Sequence, residues 1–243
     1  MKSSAFFAVM SVAGLCCAAV SASAVELESK ATRMHLLELY TSEGCSSCPP
    51  AEAWLSKLKD DPRLWRDFAP LAFHVDYWDR LGWRDPFAAK QWTARQYAYS
   101  ARWKSSSVYT PGFVLDGREW RNSGVPSPSG ESPGPLRISA NDDVVTAVFK
   151  ATSGDNKPRE LHVARLGFDL QINVKAGENS GRKLLHDFVV LSLDTAKMND
   201  GKAELRLSRG GAKEAAISRR ALVAWVTEPG QMEPIQAVGG WVQ

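Results

Sequence analysis

The stretch Glu38-Leu39-Tyr40-Thr41-Ser42-Glu43-Gly44-Cys45-Ser46-Ser47-Cys48-Pro49-Pro50-Ala51 decides how the first half of the chain is read. An apolar run, Met34 to Tyr40, interrupted by His35 and Glu38, enters it as a strand. Ala51 to about Lys59 leaves it as a helix, with Ala51, Trp54, Leu55 and Leu58 on one stripe. A Cys-x-x-Cys between a buried strand and a helix is the setting in which this weak pattern reads as redox chemistry. The free N–H groups and partial positive charge of a helix N-terminus stabilise a thiolate, the form that attacks a disulfide. Cys45 is therefore expected to attack and Cys48 to resolve the mixed disulfide.

Outward from the dithiol, Asp61-Pro62 ends the first helix. Leu71 to Tyr77 reads as a second buried strand. Asp85-Pro86 predicts a helix start, with Asp85 as cap and Pro86 in the first turn, running to about Lys104. Thr110-Pro111 precedes a short strand, Phe113 to Leu115, which turns at Asp116-Gly117 and returns over Glu119 to Arg121. The order strand, dithiol, helix, strand, helix, Thr-Pro, hairpin predicts an α/β thioredoxin-like domain over residues 25–124. Residues 125–135 hold four prolines, two glycines and three serines, the composition of a linker. Beyond it come short alternating strands: Val144 to Phe149, Leu161 to Leu170, Leu184 to Leu193, Ala203 to Leu207 and Ala221 to Thr227. They predict a mostly-β, sandwich-like domain over 136–243. His162 and His186 stand alone there and read as satisfied surface or core histidines.

The N-terminus reads as an export signal: Lys2, an apolar run from Ala5 to Val20, then Ala22-Ser23-Ala24 as the cleavage pattern. Cleavage after Ala24 predicts a periplasmic or secreted protein with no remaining membrane span. Cys16 and Cys17 leave with the leader, so the mature chain keeps one pair, Cys45 and Cys48. Such a pair closes almost no loop and adds little chain-entropy stabilisation, so its purpose is chemical. The net charge of +3 is spread without basic blocks, which gives no case for nucleic acid. Nine tryptophans predict core or groove lining.

The quoted stretch resembles the hallmark of a bacterial secreted thioredoxin-like family catalogued as a domain of unknown function, number twelve twenty-three. His74-Val75-Asp76-Tyr77-Trp78-Asp79, Leu81 to Phe87, Val108-Tyr109-Thr110-Pro111 and Gly177-Glu178-Asn179-Ser180-Gly181-Arg182 fit the same family. The resemblance implies a cis peptide before Pro111, in a loop facing the dithiol, with Thr110 offering backbone groups to a substrate peptide. It also implies a buried acid that takes a proton from the resolving thiol, here Glu38, although the spacing to Cys45 is one residue longer than in thioredoxin; a plain salt-bridge role for Glu38 is the alternative. Gly44 replaces the tryptophan usual before the first cysteine and is expected to open the surface around Cys45. Pro49 and Pro50 are acceptable only in the first helical turn, and a residue before proline avoids the helical region, which places Cys48 at or before the helix start.

Three functions compete. The leading one is an exported thiol–disulfide oxidoreductase working on protein thiols and disulfides or on a redox partner, with Cys45, Cys48 and Glu38 catalytic, Thr110, Pro111 and Gly44 at the substrate, and no cofactor. The second is a metal carrier, such as for copper, in which the two thiolates are joined by His74 and Asp76. The third is a non-enzymatic binding protein with a structural disulfide and a groove lined by Trp78, Trp83, Trp92 and Trp103.

Overall fold

The computed structural model describes residues 24–121, 124–141, 143–208 and 217–242. The expected leader lies outside the described residues, save Ala24. In chain order the elements are β1 (Val25–Glu28), β2 (His35–Thr41), α1 (Cys48–Lys57), β3 (Phe68–His74), α2 (Lys90–Arg102), β4 (Gly112–Leu115) and β5 (Arg118–Glu119). There follow β6 (Leu136–Asn141), β7 (Val144–Phe149), β8 (Arg159–Gly167), β9 (Leu170–Asn173), β10 (Lys183–His186), β11 (Val189–Met198), β12 (Lys202–Arg206), β13 (Arg220–Thr227) and β14 (Gln236–Val242).

One eight-stranded mixed sheet, in the order β14-β13-β8-β11-β3-β2-β4-β5, runs through both halves of the chain. This corrects the expected fold class. The protein is not an α/β thioredoxin-like domain followed by a sandwich-like one; it is mostly β, with two α-helices among the described residues. The reason is an edge. Every residue of β2 and β3 is buried, and a β3 left at the rim of a small sheet would present unpaired N–H and C=O groups. β11 covers it instead, through parallel pairing of Val189 with Ala72 and a bond from the Ala72 N–H to the Phe188 carbonyl of 2.8 Å. Pro70, which has no N–H to donate, sits outside that contact. Leu37, Phe73, Leu166, Phe168 and Trp225 consequently share one core.

A second crossing comes from the N-terminus, where β1 pairs with β6 in the four-stranded sheet β1-β6-β7-β12. The Pro/Gly/Ser stretch between the halves is pinned: Arg33 N–H reaches the Glu131 carbonyl and Gly134 N–H the Ala31 carbonyl. Gly134 has φ +115, and a Cβ there would lie 1.9 Å from the Lys150 carbonyl oxygen, so only glycine fits.

In the first half the sequence reading holds locally with shifted ends. Leu161 to Leu170 and Leu184 to Leu193, each expected as one strand, instead divide between β8 and β9 and between β10 and β11, with β9 and β10 in a separate two-stranded sheet. α1 begins at Cys48 with Ser47 as N-cap and both prolines in the first turn. Asp116 and Gly117 have φ of 48 and 83, the left-handed pair of a tight hairpin. Asp85 is corrected: α2 starts at Lys90, capped by Ala89. Asp85 is 2% exposed and holds the preceding loop, accepting from the N–H groups of Glu43 and Phe87 at 2.9 Å each.

Candidate active site around Cys45 and Cys48

β2 carries the chain into a tight turn, with Cys45 N–H bonded to Ser42 O and Cys48 N–H to Cys45 O, and α1 begins. Both cysteines are free thiols, and both are buried. Ser47 Oγ lies 3.2 Å from Cys45 Sγ. The thiol pair is strongly asymmetric. A hydrogen bond from Cys48 stabilises the Cys45 thiolate first, with help from Ser47 and Thr110, and brings its pKa to about 6. Burial pushes the Cys48 thiol far up, and the bond it makes to Cys45 adds to that.

Thr110-Pro111 is cis, and its loop faces the pair: the Thr110 carbonyl oxygen is 3.6 Å from Cys45 Sγ. Trp78 Nε1–H donates to Thr110 Oγ1 at 2.8 Å, which fixes the hydroxyl and leaves its proton free to donate toward Cys45. Gly44 lies directly beneath Trp78, where a Cβ would stand 2.9 Å from Trp78 Cβ. The space freed by the missing side chain is thus taken up by Trp78 Cβ and its carbonyl oxygen, and the surface does not open: Cys45 is only 1% exposed.

The opposite side of the dithiol turn is held by the second half of the chain. Asn179, fully buried, donates from Nδ2 to the carbonyls of Glu43 (2.8 Å) and Cys45 (2.9 Å), while Arg182 donates to its Oδ1. Glu178 Oε2 accepts the Ser46 N–H at 2.9 Å. Replacing Asn179 with alanine strips two buried carbonyls of a donor, so a loss of about 1–3 kcal/mol is expected in urea unfolding. Cys45 should also be alkylated faster as the turn loosens. Unchanged stability and rate would mean that the clamp holds nothing.

Glu38 stands elsewhere. Its carboxylate accepts from Arg95 Nε and Nη2 at 2.9 and 2.7 Å, from Tyr99 OH at 2.6 Å and from Tyr40 OH at 2.8 Å. Strand alternation puts residues 38 and 41 on opposite faces of the sheet. Thr41 is the one that approaches Cys48, and its hydroxyl donates to Glu52 on α1. The proton-accepting role expected of Glu38 therefore finds its carboxylate bound to α2, on the other face.

Glu52 opens a buried polar cluster that sequence reading missed. Its Oε2 lies 2.6 Å from His186 Nδ1, and His186 Nε2 lies 3.0 Å from Glu43 Oε1. Glu43 Oε2 also accepts from Trp83 Nε1–H at 2.6 Å. His74 Nδ1 meets Asp85 Oδ2 at 2.7 Å, and the two imidazole rings stand 5.1 Å apart. Burial pulls His186 down, but Glu52 and Glu43 outweigh it and raise the imidazole to about 10. Burial would likewise raise Glu52, yet the His186 charge holds it below its ordinary value. His74 Nε2 is buried with no partner among the described residues, an arrangement that costs on the order of 1–3 kcal/mol. His186 stands alone in the sequence because its carboxylates are 134 and 143 residues away. The Asp85-Pro86 pair is the sequence signal nearest this cluster, since Asp85 holds His74. His162 is satisfied, as expected, by Thr195 and Thr227 at 3.0 Å each.

The carrier set of two thiols with His74 and Asp76 is not assembled among the described residues. The possible ligand atoms of His74 lie with Glu52 and His186 instead, and Asp76 accepts from Thr93 Oγ1 at 2.6 Å. Nor do the four tryptophans line one groove. Trp92 is core, Trp103 stacks on Tyr99 and donates to Gly117 O, and Trp78 and Trp83 are bound as above.

Fold and site together define a mostly-β protein with a buried Cys-x-x-Cys dithiol at a helix start. The chain belongs to the family described as protein of unknown function (DUF1223), which matches residues 36–227. Comparison with the curated proteins found no match. Among solved structures it is similar to the crystal structure of a protein from Agrobacterium tumefaciens, at 24% identity and a TM-score of 0.60, covering 87% of this chain and 94% of that one. It is also similar to HBP35 of Porphyromonas gingivalis, at 18% identity and a TM-score of 0.55, covering 86% of this chain and 75% of that one. At these identities the likeness is one of fold.

Proposed function

We propose that the protein is an exported thiol–disulfide oxidoreductase. The observation that carries this reading is the asymmetric free pair: a Cys45 thiolate stabilised by the Cys48 thiol, beside the Thr110-Pro111 loop. In the reducing direction, Cys45 sulfur attacks one sulfur of a substrate disulfide, whose S–S bond breaks, and the leaving thiolate takes up a proton. Cys48 then loses its proton to solvent and attacks Cys45. That step releases the second substrate thiol and closes the Cys45–Cys48 disulfide. Cys45 is buried and Asn179 pins the turn that carries it, so turnover requires the dithiol turn to open toward its substrate. Export rests on the apolar leader and its Ala22-Ser23-Ala24 pattern.

Equilibration of the pair with glutathione, with insulin reduction followed in the same preparation, tests the proposal. A potential between about −120 and −270 mV with turnover is expected, the range of working oxidoreductases. A potential well below about −300 mV without turnover would mark an inert structural disulfide.

A further inference from the structure

We propose that His74, His186 and Glu52 bind one divalent transition-metal ion of the zinc type, at a buried site behind the dithiol helix and without thiol ligands. One ligand atom from each of the three lies within 4.8 Å of the others. They come from three separate elements: Glu52 from α1, His74 from the end of β3 and His186 from the end of β10. All three are buried, at 6, 1 and 1% exposure.

The surroundings are those that metal-binding histidines need. A ligating imidazole has its far nitrogen held by a carboxylate or carbonyl, which fixes ring orientation and tautomer. Here Asp85 holds Nδ1 of His74, and Glu43 holds Nε2 of His186. The coordinating atoms are then Nε2 of His74 and Nδ1 of His186, the latter giving up to solvent the proton it now shares with Glu52, as ligands do on binding a metal. Nε2 of His74 is the buried nitrogen that has no partner. A metal ion there would give that atom the partner it lacks, at the point where the ligand atoms of Glu52 and His186 converge.

Charge and geometry agree. Three carboxylates, Glu43, Glu52 and Asp85, surround two imidazoles in a buried space, so a dication is electrostatically accepted. Metal bonds of about 2.0–2.2 Å at tetrahedral angles separate two ligand atoms by roughly 3.3 Å. The pair Glu52 Oε2 and His186 Nδ1, now 2.6 Å apart, has to open by less than an ångström. Two nitrogens and one oxygen form a borderline-to-hard donor set, suited to zinc and its divalent neighbours more than to Cu(I). Three protein ligands leave a fourth position for water.

The test is equilibrium dialysis of the full-length mature chain against Co2+, with both thiols blocked by the substitutions Cys45→Ser/Cys48→Ser. Metal content and visible absorption are then measured. One Co2+ per chain is expected, with d–d bands and no thiolate-to-cobalt charge transfer. Glu52→Gln and His74→Gln, checked for folding by circular dichroism, should each lower affinity at least a hundredfold, and Asp85→Asn about 10–100-fold. Should a histidine variant not fold, the thiol-blocked parent and Glu52→Gln carry the test. No Co2+ uptake by the thiol-blocked parent overturns the proposal, and so does uptake undiminished in folded Glu52→Gln. Because the thiols are blocked throughout, neither result bears on the oxidoreductase reading.

Discussion

Replacing Cys48 with alanine is expected to slow alkylation of Cys45 about tenfold at pH 6 and to move its midpoint from about 6 toward the ordinary thiol value. The hydrogen bond donated by Cys48 is the largest contribution to the low Cys45 pKa. Without it Ser47 and Thr110 remain, and burial disfavours the thiolate. The sign follows from the reacting species. Below the new midpoint the variant holds far less thiolate, which reduces the rate. A more basic thiolate is also more nucleophilic, by a Brønsted slope of about 0.4–0.5, and this offsets part of the loss. The two effects cross at alkaline pH, where both proteins are fully ionised and the variant reacts faster than the parent. Iodoacetamide kinetics between pH 5 and 10 read both limbs. A variant profile superimposed on the parent's would mean that Cys48 does not stabilise the Cys45 thiolate, and the ordering of attacking and resolving thiols would fail with it.

Arg95→Met is expected to destabilise the protein by about 3–5 kcal/mol, seen as a large fall in the urea midpoint, because it leaves the buried Glu38 carboxylate without its cation. Glu38 is 1% exposed and takes two of its four hydrogen bonds from Arg95. The guanidinium also lies 5.4–5.5 Å from the ring centres of Phe73, Tyr99 and Trp225, so methionine replaces part of the packing but none of the charge. Removing both charges in Glu38→Gln/Arg95→Met should cost less than Arg95→Met alone, the signature of a coupled pair in a double-mutant cycle. Glu38→Gln by itself should leave the Cys45 alkylation profile unchanged, since Glu38 and Thr41 face opposite sides of the sheet. If Glu38→Gln shifts that profile, the carboxylate does communicate with the dithiol and the face argument is wrong.

The standing of Glu38 shows how far a sequence pattern reaches. A carboxylate inside an apolar strand before a Cys-x-x-Cys signals burial, and burial was right. Its partner Arg95 lies 57 residues on, in a helix whose polar positions carry no mark of which one turns inward. Glu52 was the reverse case. It sits one helical turn beyond Cys48, on the dithiol side, yet in sequence it is an ordinary helix glutamate. Only the arrival of His186 from β10 makes it part of a buried cluster.

From its sequence alone, this chain determined what depends on neighbours within about ten residues. That includes the strand leading into the dithiol, the first-turn prolines of α1, the Asp116-Gly117 hairpin and the alternating strands of the second half. These follow from steric limits on proline and glycine and from the periods of buried faces. Only the tertiary structure decided that the two halves share one sheet, that Asn179 and Glu178 clamp the dithiol turn, and that His74, His186 and Glu52 meet. Each depends on an unsatisfied edge, carbonyl or nitrogen finding its partner across more than a hundred residues or between separate elements. Burial enforces that pairing because an unpaired polar group inside a protein costs more than the chain entropy of bringing its partner to it.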